Sequence, residues 1–310
     1  LDEKGMRVLV TGGTGFVGSH TAKALKEAGH IVRLLVRSEK KAASIFESLG
    51  VEIDEIILGN ITDRKAVEAA VRGCDAVIHS AAGVDKIIYI SSVSALFNVG
   101  DTVMNEKSSV SSGNNPYGRT KITCENYVRE LQSQGASIII TYPTGVVGAF
   151  DPGLSDPHFG IKLFVSVFTF TSSTGMQFVN ACDVAKAHVA ILERVEGSDR
   201  FILGGHYYSW FDLLEISKRL TGRQLFSVHI PGRILRFLGK CADVVIKLTG
   251  KEFPFTEEGM TYATQWIYAD SSKLENELGL TFTCREKTLA ESIQWLHKTG
   301  HISTKKAGKL

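Results

Sequence analysis

Short apolar runs alternate with longer amphipathic runs along the first half of this chain. The apolar runs lie at 7–10, 31–36, 52–58, 76–79, 86–90 and 137–141, and they are rich in Val and Ile. Between them, helical patterns cover 17–28, 40–49, 63–71 and 118–132. In the first of these, Val17, Thr21, Ala24, Leu25 and Ala28 share one face, and Gly29 supplies a stop. Strands that read as continuous apolar runs have both faces covered by helices. The strand–helix alternation therefore predicts an α/β fold built on a doubly wound parallel sheet.

Past Pro143 the regularity fades. Residues 148–176 read as loop around the apolar run 161–170, followed by a strand at 177–179, a helix at 183–193 and a strand at 201–203. Ser209 caps a helix through Leu220, and further helices cover 232–248 and 288–298. The expected division is a sheet domain over 6–148, to which 177–193 contributes. A smaller C-terminal lobe takes 149–176 and 194–298, and 299–310 forms a frayed, solvated tail.

Composition narrows the partners. A net charge of +2 gives no basis for nucleic-acid binding. The cysteines at 74, 124, 182, 241 and 284 are too scattered for a metal knuckle or a redox pair, so no metal is expected. Their number suits reduced thiols in the cytoplasm. No signal-peptide pattern opens the sequence, and no uncharged stretch of about 20 residues suggests an integral membrane protein. His158, His206 and His229 have no ligand spacing and read as ordinary surface or pocket histidines. Arg233, Arg236, Lys240, Asp243 and Lys247 recur at helical spacing, as on the polar face of a surface helix.

Three constellations carry chemistry. Residues 11–18, Thr-Gly-Gly-Thr-Gly-Phe-Val-Gly, follow the first strand and open the first helix. Gly12, Gly15 and Gly18 allow a tight turn and close backbone approach, and the helix start near Phe16 offers free N–H groups to a pyrophosphate. Arg37 ends the second strand, with Lys40 and Lys41 beyond it. A cation there favours a ribose 2′-phosphate, hence NADP(H) over NAD(H). Third, Ser91 and Ser92 end the fifth strand, and Tyr117 and Lys121 stand four apart on a helix face. A neighbouring ammonium stabilises phenolate, so Tyr117 can exchange a proton with a substrate hydroxyl or carbonyl.

Only Gly83, Val84 and Asp85 separate the fourth and fifth strands as read here. A parallel crossover needs about a dozen or more residues. Three residues reach about 10 Å, whereas return along a five-residue strand takes about 17 Å. The expectation is that the two strands are parallel neighbours, that a crossover segment is absent from this sequence, and that the chain breaks near residues 82–85.

The set TGGTGFVG (11–18), HSAA (79–82), YISS (89–92), NPYGRTK (115–121), YPTGVVG (142–148) and QFVNACDVAKAH (177–188) resembles the extended short-chain dehydrogenase/reductase family, also called the NAD-dependent epimerase/dehydratase superfamily. The VRSEK context of Arg37 looks most like its dihydroflavonol-reductase and 3β-hydroxysteroid-dehydrogenase branch. The resemblance implies a Rossmann domain. It assigns Gly12, Thr14, Gly15, Phe16, Val17 and Gly18 to the pyrophosphate and Arg37 to the 2′-phosphate. Asn60 and Ile61 would flank adenine, and Ser80, Ala81 and Ala82 would lie by the ribose. Tyr117 would be the acid/base, and Lys121 would bind the nicotinamide ribose. Ser92 would orient the substrate, with Ser91 and Ser94 as alternatives, and Pro143, Gly145 and Val146 would border the nicotinamide. Two departures stand out. Tyr142 occupies a position where the family often has Arg, which predicts altered contacts near the nicotinamide or a sugar-nucleotide phosphate. Members also carry a helical crossover between the HSAA-like and YISS-like segments.

The reading is an NADP(H)-dependent oxidoreductase that interconverts a carbonyl and a secondary alcohol of a small-molecule substrate. NAD(H) is the other cofactor the site admits. Two alternatives stand beside it, a nucleotide-sugar epimerase or dehydratase and a cofactor-sensing protein without catalysis. The helix at 118–132 offers a two-fold surface for a homodimer.

Overall fold

A computed structural model describes residues 5–78, 86–112, 116–166, 169–249 and 256–310, with the backbone alone for 116–119 and 169. The first half runs β1 (Arg7–Thr11), α1 (Phe16–Glu27), β2 (Ile31–Val36), α2 (Glu39–Leu49), β3 (Glu55–Leu58), α3 (Arg64–Val71), β4 (Ala76–Ile78) and β5 (Lys86–Ile90). A 3-10 turn (Val93–Ala95), β6 (Val103–Met104), α4 (Pro116–Ser133), β7 (Ile138–Pro143) and β8 (Gly145–Val147) follow. Next come α5 (Asp156–Ser166), β9 (Thr169–Thr171), β10 (Gly175–Asn180), α6 (Ala181–Arg194), β11 (Asp199–Leu203), β12 (His206–Ser209) and α7 (Trp210–Thr221). The chain ends with β13 (Ser227–His229), α8 (Gly232–Thr249), α9 (Glu257–Thr264), β14 (Tyr268–Ala269), α10 (Ser272–Leu278), α11 (Arg285–Lys298) and α12 (Thr304–Ala307).

Seven strands form one parallel sheet in the order β11-β7-β5-β4-β1-β2-β3. The order reverses between β1 and β4, and ligands of such sheets bind outside the carboxyl ends at that switch point. The central strands are apolar throughout because helices close both faces. Val8, Val10, Leu34 and Ile78 belong to a core cluster with Ala22 and Leu25 of α1 and Val184 and Ile191 of α6. Leu9, Leu35 and Val77 form a separate buried cluster with Ala70 and Val71 of α3. Local signals set the helix ends: Ser38 and Asp63 cap α2 and α3, and Ser209 with Asp212 forms a capping box on α7.

β4 and β5 are parallel neighbours, with Ala76 opposite Lys86 and Ile78 opposite Ile88. That part of the crossover expectation holds. Residues 79–85, where a chain break was expected, lie outside the described residues.

Elsewhere the structure corrects the sequence reading. The stretch taken as loop around 161–170 contains helix α5 and strand β9. β10 does not join the main sheet; it pairs with β8 and β12 in a separate three-stranded sheet. β11 was assigned to the lobe, yet it forms the edge of the main sheet beside β7. The C-terminal tail is packed rather than frayed. Ile302 and Ala307 are buried in the lobe core with Leu289, Ile293 and Leu296 of α11. Burial of these two side chains anchors a segment whose lysines suggested a solvated end. All five cysteines are free. Among the described residues, no helix is long and apolar enough to cross a membrane, and no cluster of His, Cys, Asp or Glu could hold a metal ion.

Candidate active site

The glycine-rich turn leaves β1 at the switch point. Gly12 adopts φ +67°, a left-handed conformation that favours glycine. Its carbonyl accepts from Gly15 N at 2.8 Å, closing the turn. A Cβ on Gly18 would lie 2.3 Å from that same carbonyl, so the helix can sit this close only with glycine there. Gly15 is the N-cap of α1 and supplies no side-chain cap. The first-turn N–H groups at Phe16 and Val17 thus face outward with the positive end of the helix dipole. This arrangement fits a pyrophosphate. Arg37 lies exposed just past β2, with no carboxylate partner among the described residues. Asn60 and Ile61 are exposed just past β3, where Asn60 Oδ1 accepts from Thr62 N. The residues present therefore fit a dinucleotide laid along the carboxyl ends of the sheet.

The structure sorts the serines. Ser91 is buried and donates to Glu125 Oε2 at 2.7 Å. Ser92, half-buried, caps the 3-10 turn and accepts from Ser94 N at 3.2 Å and Ser94 Oγ at 3.0 Å. α4 packs against this turn and carries Tyr117 and Lys121 one helical turn apart. Lys121 is half-buried, and the Tyr117 side chain lies outside the described residues. Pro143 is buried at the end of β7, and Gly145 and Val146 are half-buried in β8. A Cβ on Gly145 would meet the Phe178 ring at 2.9 Å. Ser80, Ala81 and Ala82 lie outside the described residues.

Sequence reasoning missed the group that ties these segments together. Glu125, fully buried on α4, also accepts from Arg129 Nε at 2.7 Å and Tyr142 OH at 2.5 Å. Arg129 donates in turn to Tyr142 OH at 3.1 Å and to the Ser108 carbonyl. Burial, then the Glu125 charge, pushes the Tyr142 phenol far up, so it stays a neutral donor. Tyr142 is therefore a core residue whose hydroxyl is engaged by Glu125 and Arg129. A carboxylate four residues past Lys121, on the same helix face, was the available signal.

A second missed feature borders the glycine turn. His158, expected at a surface or pocket, is fully buried; His229 is exposed and His206 half-buried. His158 Nδ1 lies 2.8 Å from Asp151 Oδ2, and Nε2 lies 2.8 Å from the Gly148 carbonyl. Burial alone would raise the Asp151 carboxyl, but hydrogen bonds from His158, Ser155 and Gly153 outweigh it and hold it well below the usual carboxylate range. Phe150 and Leu154 in this loop have positive φ, a strained conformation for non-glycine residues. The loop reaches α1: the Phe16 and His158 rings stand 5.4 Å apart, and His20 Nε2 lies 3.0 Å from the Ala149 carbonyl. A cleft of about 840 Å³ beside β11 and α10 contains none of the expected site residues in its walls.

The pattern of the NAD dependent epimerase/dehydratase family matches residues 8–86 and 80–204. The chain belongs to that family. The match falls into two pieces that overlap at residues 80–86. Family members of known activity are similar over much of their length. Cinnamoyl-CoA reductase 1 of Petunia hybrida is 24% identical, covering 96% of this chain and 94% of that protein. UDP-glucose 4-epimerase of Bacillus subtilis is also 24% identical, covering 74% of this chain and 87% of that protein. The crystal structure of a nucleoside-diphosphate-sugar epimerase from Pseudomonas aeruginosa shares the fold, with a TM-score of 0.78 at 23% identity over 96% of this chain and 99% of that one. This family member is an NAD(P)-dependent oxidoreductase of the extended short-chain type.

Proposed function

We propose that the protein is an NADP(H)-dependent reductase/dehydrogenase that interconverts a carbonyl and a secondary alcohol. The observation that carries this reading is the placement of Ser92. It caps the 3-10 turn after β5, against which α4 packs with Tyr117 and Lys121, while its neighbour Ser91 is committed to Glu125. Ser92 Oγ holds the substrate oxygen by hydrogen bonding. The Tyr117 phenol gives a proton to that oxygen, or takes one from it, and the Lys121 ammonium favours its phenolate form. The nicotinamide, when bound, supplies or accepts the hydride. Phe16, Val17 and the glycines of the turn bind the pyrophosphate. Arg37 binds the 2′-phosphate and sets the preference for NADP(H). Asn60 and Ile61 flank adenine, Ser80, Ala81 and Ala82 lie by the ribose, and Pro143, Gly145 and Val146 border the nicotinamide.

A nucleotide-sugar epimerase or dehydratase is the alternative reading; it would use cations of the C-terminal lobe for the sugar's pyrophosphate. The five free thiols suit the cytoplasm, and Tyr127, exposed on α4, offers an apolar contact for a homodimer. The test is NADPH absorbance with a panel of ketones, aldehydes and nucleotide sugars. Consumption of NADPH with a ketone or aldehyde supports the reading. Conversion of a nucleotide sugar without net NADPH consumption would replace it with the epimerase.

A further inference from the structure

Helix α8 has three faces. Leu235, Gly239 and Ala242 are buried. Gly239 allows the close approach to α9, since a Cβ there would meet the Thr256 carbonyl at 2.7 Å. A second face, at helical spacing, carries Ile234, Phe237, Leu238, Val244, Val245 and Leu248, all exposed; Phe237 is 64% and Leu248 81% accessible. The third face flanks it with Arg233, Arg236, Lys240 and Lys247 against the single carboxylate Asp243. Lys240 pairs with Glu257. Arg236 donates to Thr264 Oγ1 at 2.7 Å, and Arg233 and Lys247 have no carboxylate partner among the described residues. Just before α8 in the sequence, Phe226 and Val228 are also exposed.

Scattered exposed apolar residues need no explanation, but six on one helix face do. A second copy of this chain is a poor occupant, because self-apposition would bring the flanking cations together. The charge instead complements an anionic surface. An apolar face bordered by Lys and Arg, on a helix of 18 residues, is the pattern of a helix that lies in a bilayer interface. We infer that α8 docks the protein on an anionic lipid surface. Phe237, Leu238 and Leu248 enter the acyl boundary, and Arg233 and Lys247 reach phosphate headgroups. The helix is too short of continuous apolar residues to span the bilayer, so attachment is peripheral and reversible.

The test is co-sedimentation of the full chain with vesicles of phosphatidylcholine alone or containing about 30% phosphatidylserine, each cation near the surface contributing about fivefold to partitioning. The expected result is binding to the anionic vesicles that falls with added salt. Phe237→Glu with Leu248→Glu should reduce it at least tenfold, and Arg233→Glu with Lys247→Glu should remove the preference for phosphatidylserine. Circular dichroism and NADPH titration should match the parent, since these residues touch neither core nor cofactor site. Absence of vesicle binding by the parent overturns the inference, as does equal binding by the Phe237/Leu248 variant. So does a parent dimer that this variant dissociates.

Discussion

Ser91 Oγ donates to Glu125 Oε2 at 2.7 Å, joining the end of β5 to the helix that carries Tyr117 and Lys121. Through Tyr142 the same carboxylate also holds the end of β7. Three segments that bear expected site residues thus meet at one buried group. Replacing Glu125 by Leu would leave Arg129 without its ion-pair partner, at a cost of about 3–5 kcal/mol. Urea unfolding should show that loss. Glu125→Gln keeps the volume and part of the hydrogen bonding, so it should lose less stability. As a positioning residue, Glu125 should lower kcat in the Gln variant while the Kd for NADPH holds. Unchanged kcat would reduce its role to stability alone.

Tyr117→Phe should abolish turnover and spare cofactor binding. A positioned acid/base typically contributes about 10²–10⁴-fold. Steady-state rates together with NADPH titration separate the two effects, and full activity would remove Tyr117 from the mechanism.

Arg37→Asp should reverse the cofactor preference. A charge-assisted contact to the 2′-phosphate contributes about 1.5–3 kcal/mol, roughly 10- to 150-fold in affinity. Titrations with NADPH and NADH measure this directly. Equal affinities in the unmodified protein would sink the assignment.

Gly18→Ala should weaken dinucleotide binding more than tenfold, because the new Cβ would lie 2.3 Å from the Gly12 carbonyl and must push the turn away from α1. The overpacking should also cost about 1–3 kcal/mol in thermal or urea unfolding.

His188 makes stability pH-dependent. It is fully buried between Thr21 Oγ1 at 2.9 Å and Thr141 Oγ1 at 3.1 Å, and burial lowers its pKa to about 3. The folded protein then keeps it neutral while the unfolded chain takes up a proton below about 6.5. Its contribution is complete above that value and falls with acidification, by about 2 kcal/mol between pH 7 and pH 5. Burial lowers His20 as well, which adds the same sign. Urea unfolding at the two pH values should show the loss, and His188→Gln should flatten it.

Near-neighbour signals were enough for much of the fold. The apolar runs of β1, β2 and β5 and the cap Ser209 act within a few residues, so a linear reading finds them. The glycine turn is likewise local, since Gly12, Gly15 and Gly18 constrain one another. The sequence also called for β4 and β5 to be parallel neighbours, because the alternation leaves them no other place.

Other features depended on partners far along the chain. β11 reads like any short strand, and only its pairing with Ile139 to Pro143 puts it at the sheet edge. Ile302 and Ala307 look like tail residues until α11 supplies a surface on which to bury them. Ser91 and Ser92 are identical in composition, and strand alternation turns them to different surroundings. Glu125, 34 residues further on, takes Ser91, while Ser92 caps the 3-10 turn. Local periodicity determined which segments become strands and helices. Burial and hydrogen bonding between distant segments decided which side chains stay free for chemistry, because a buried polar group must find its partner wherever the fold brings one.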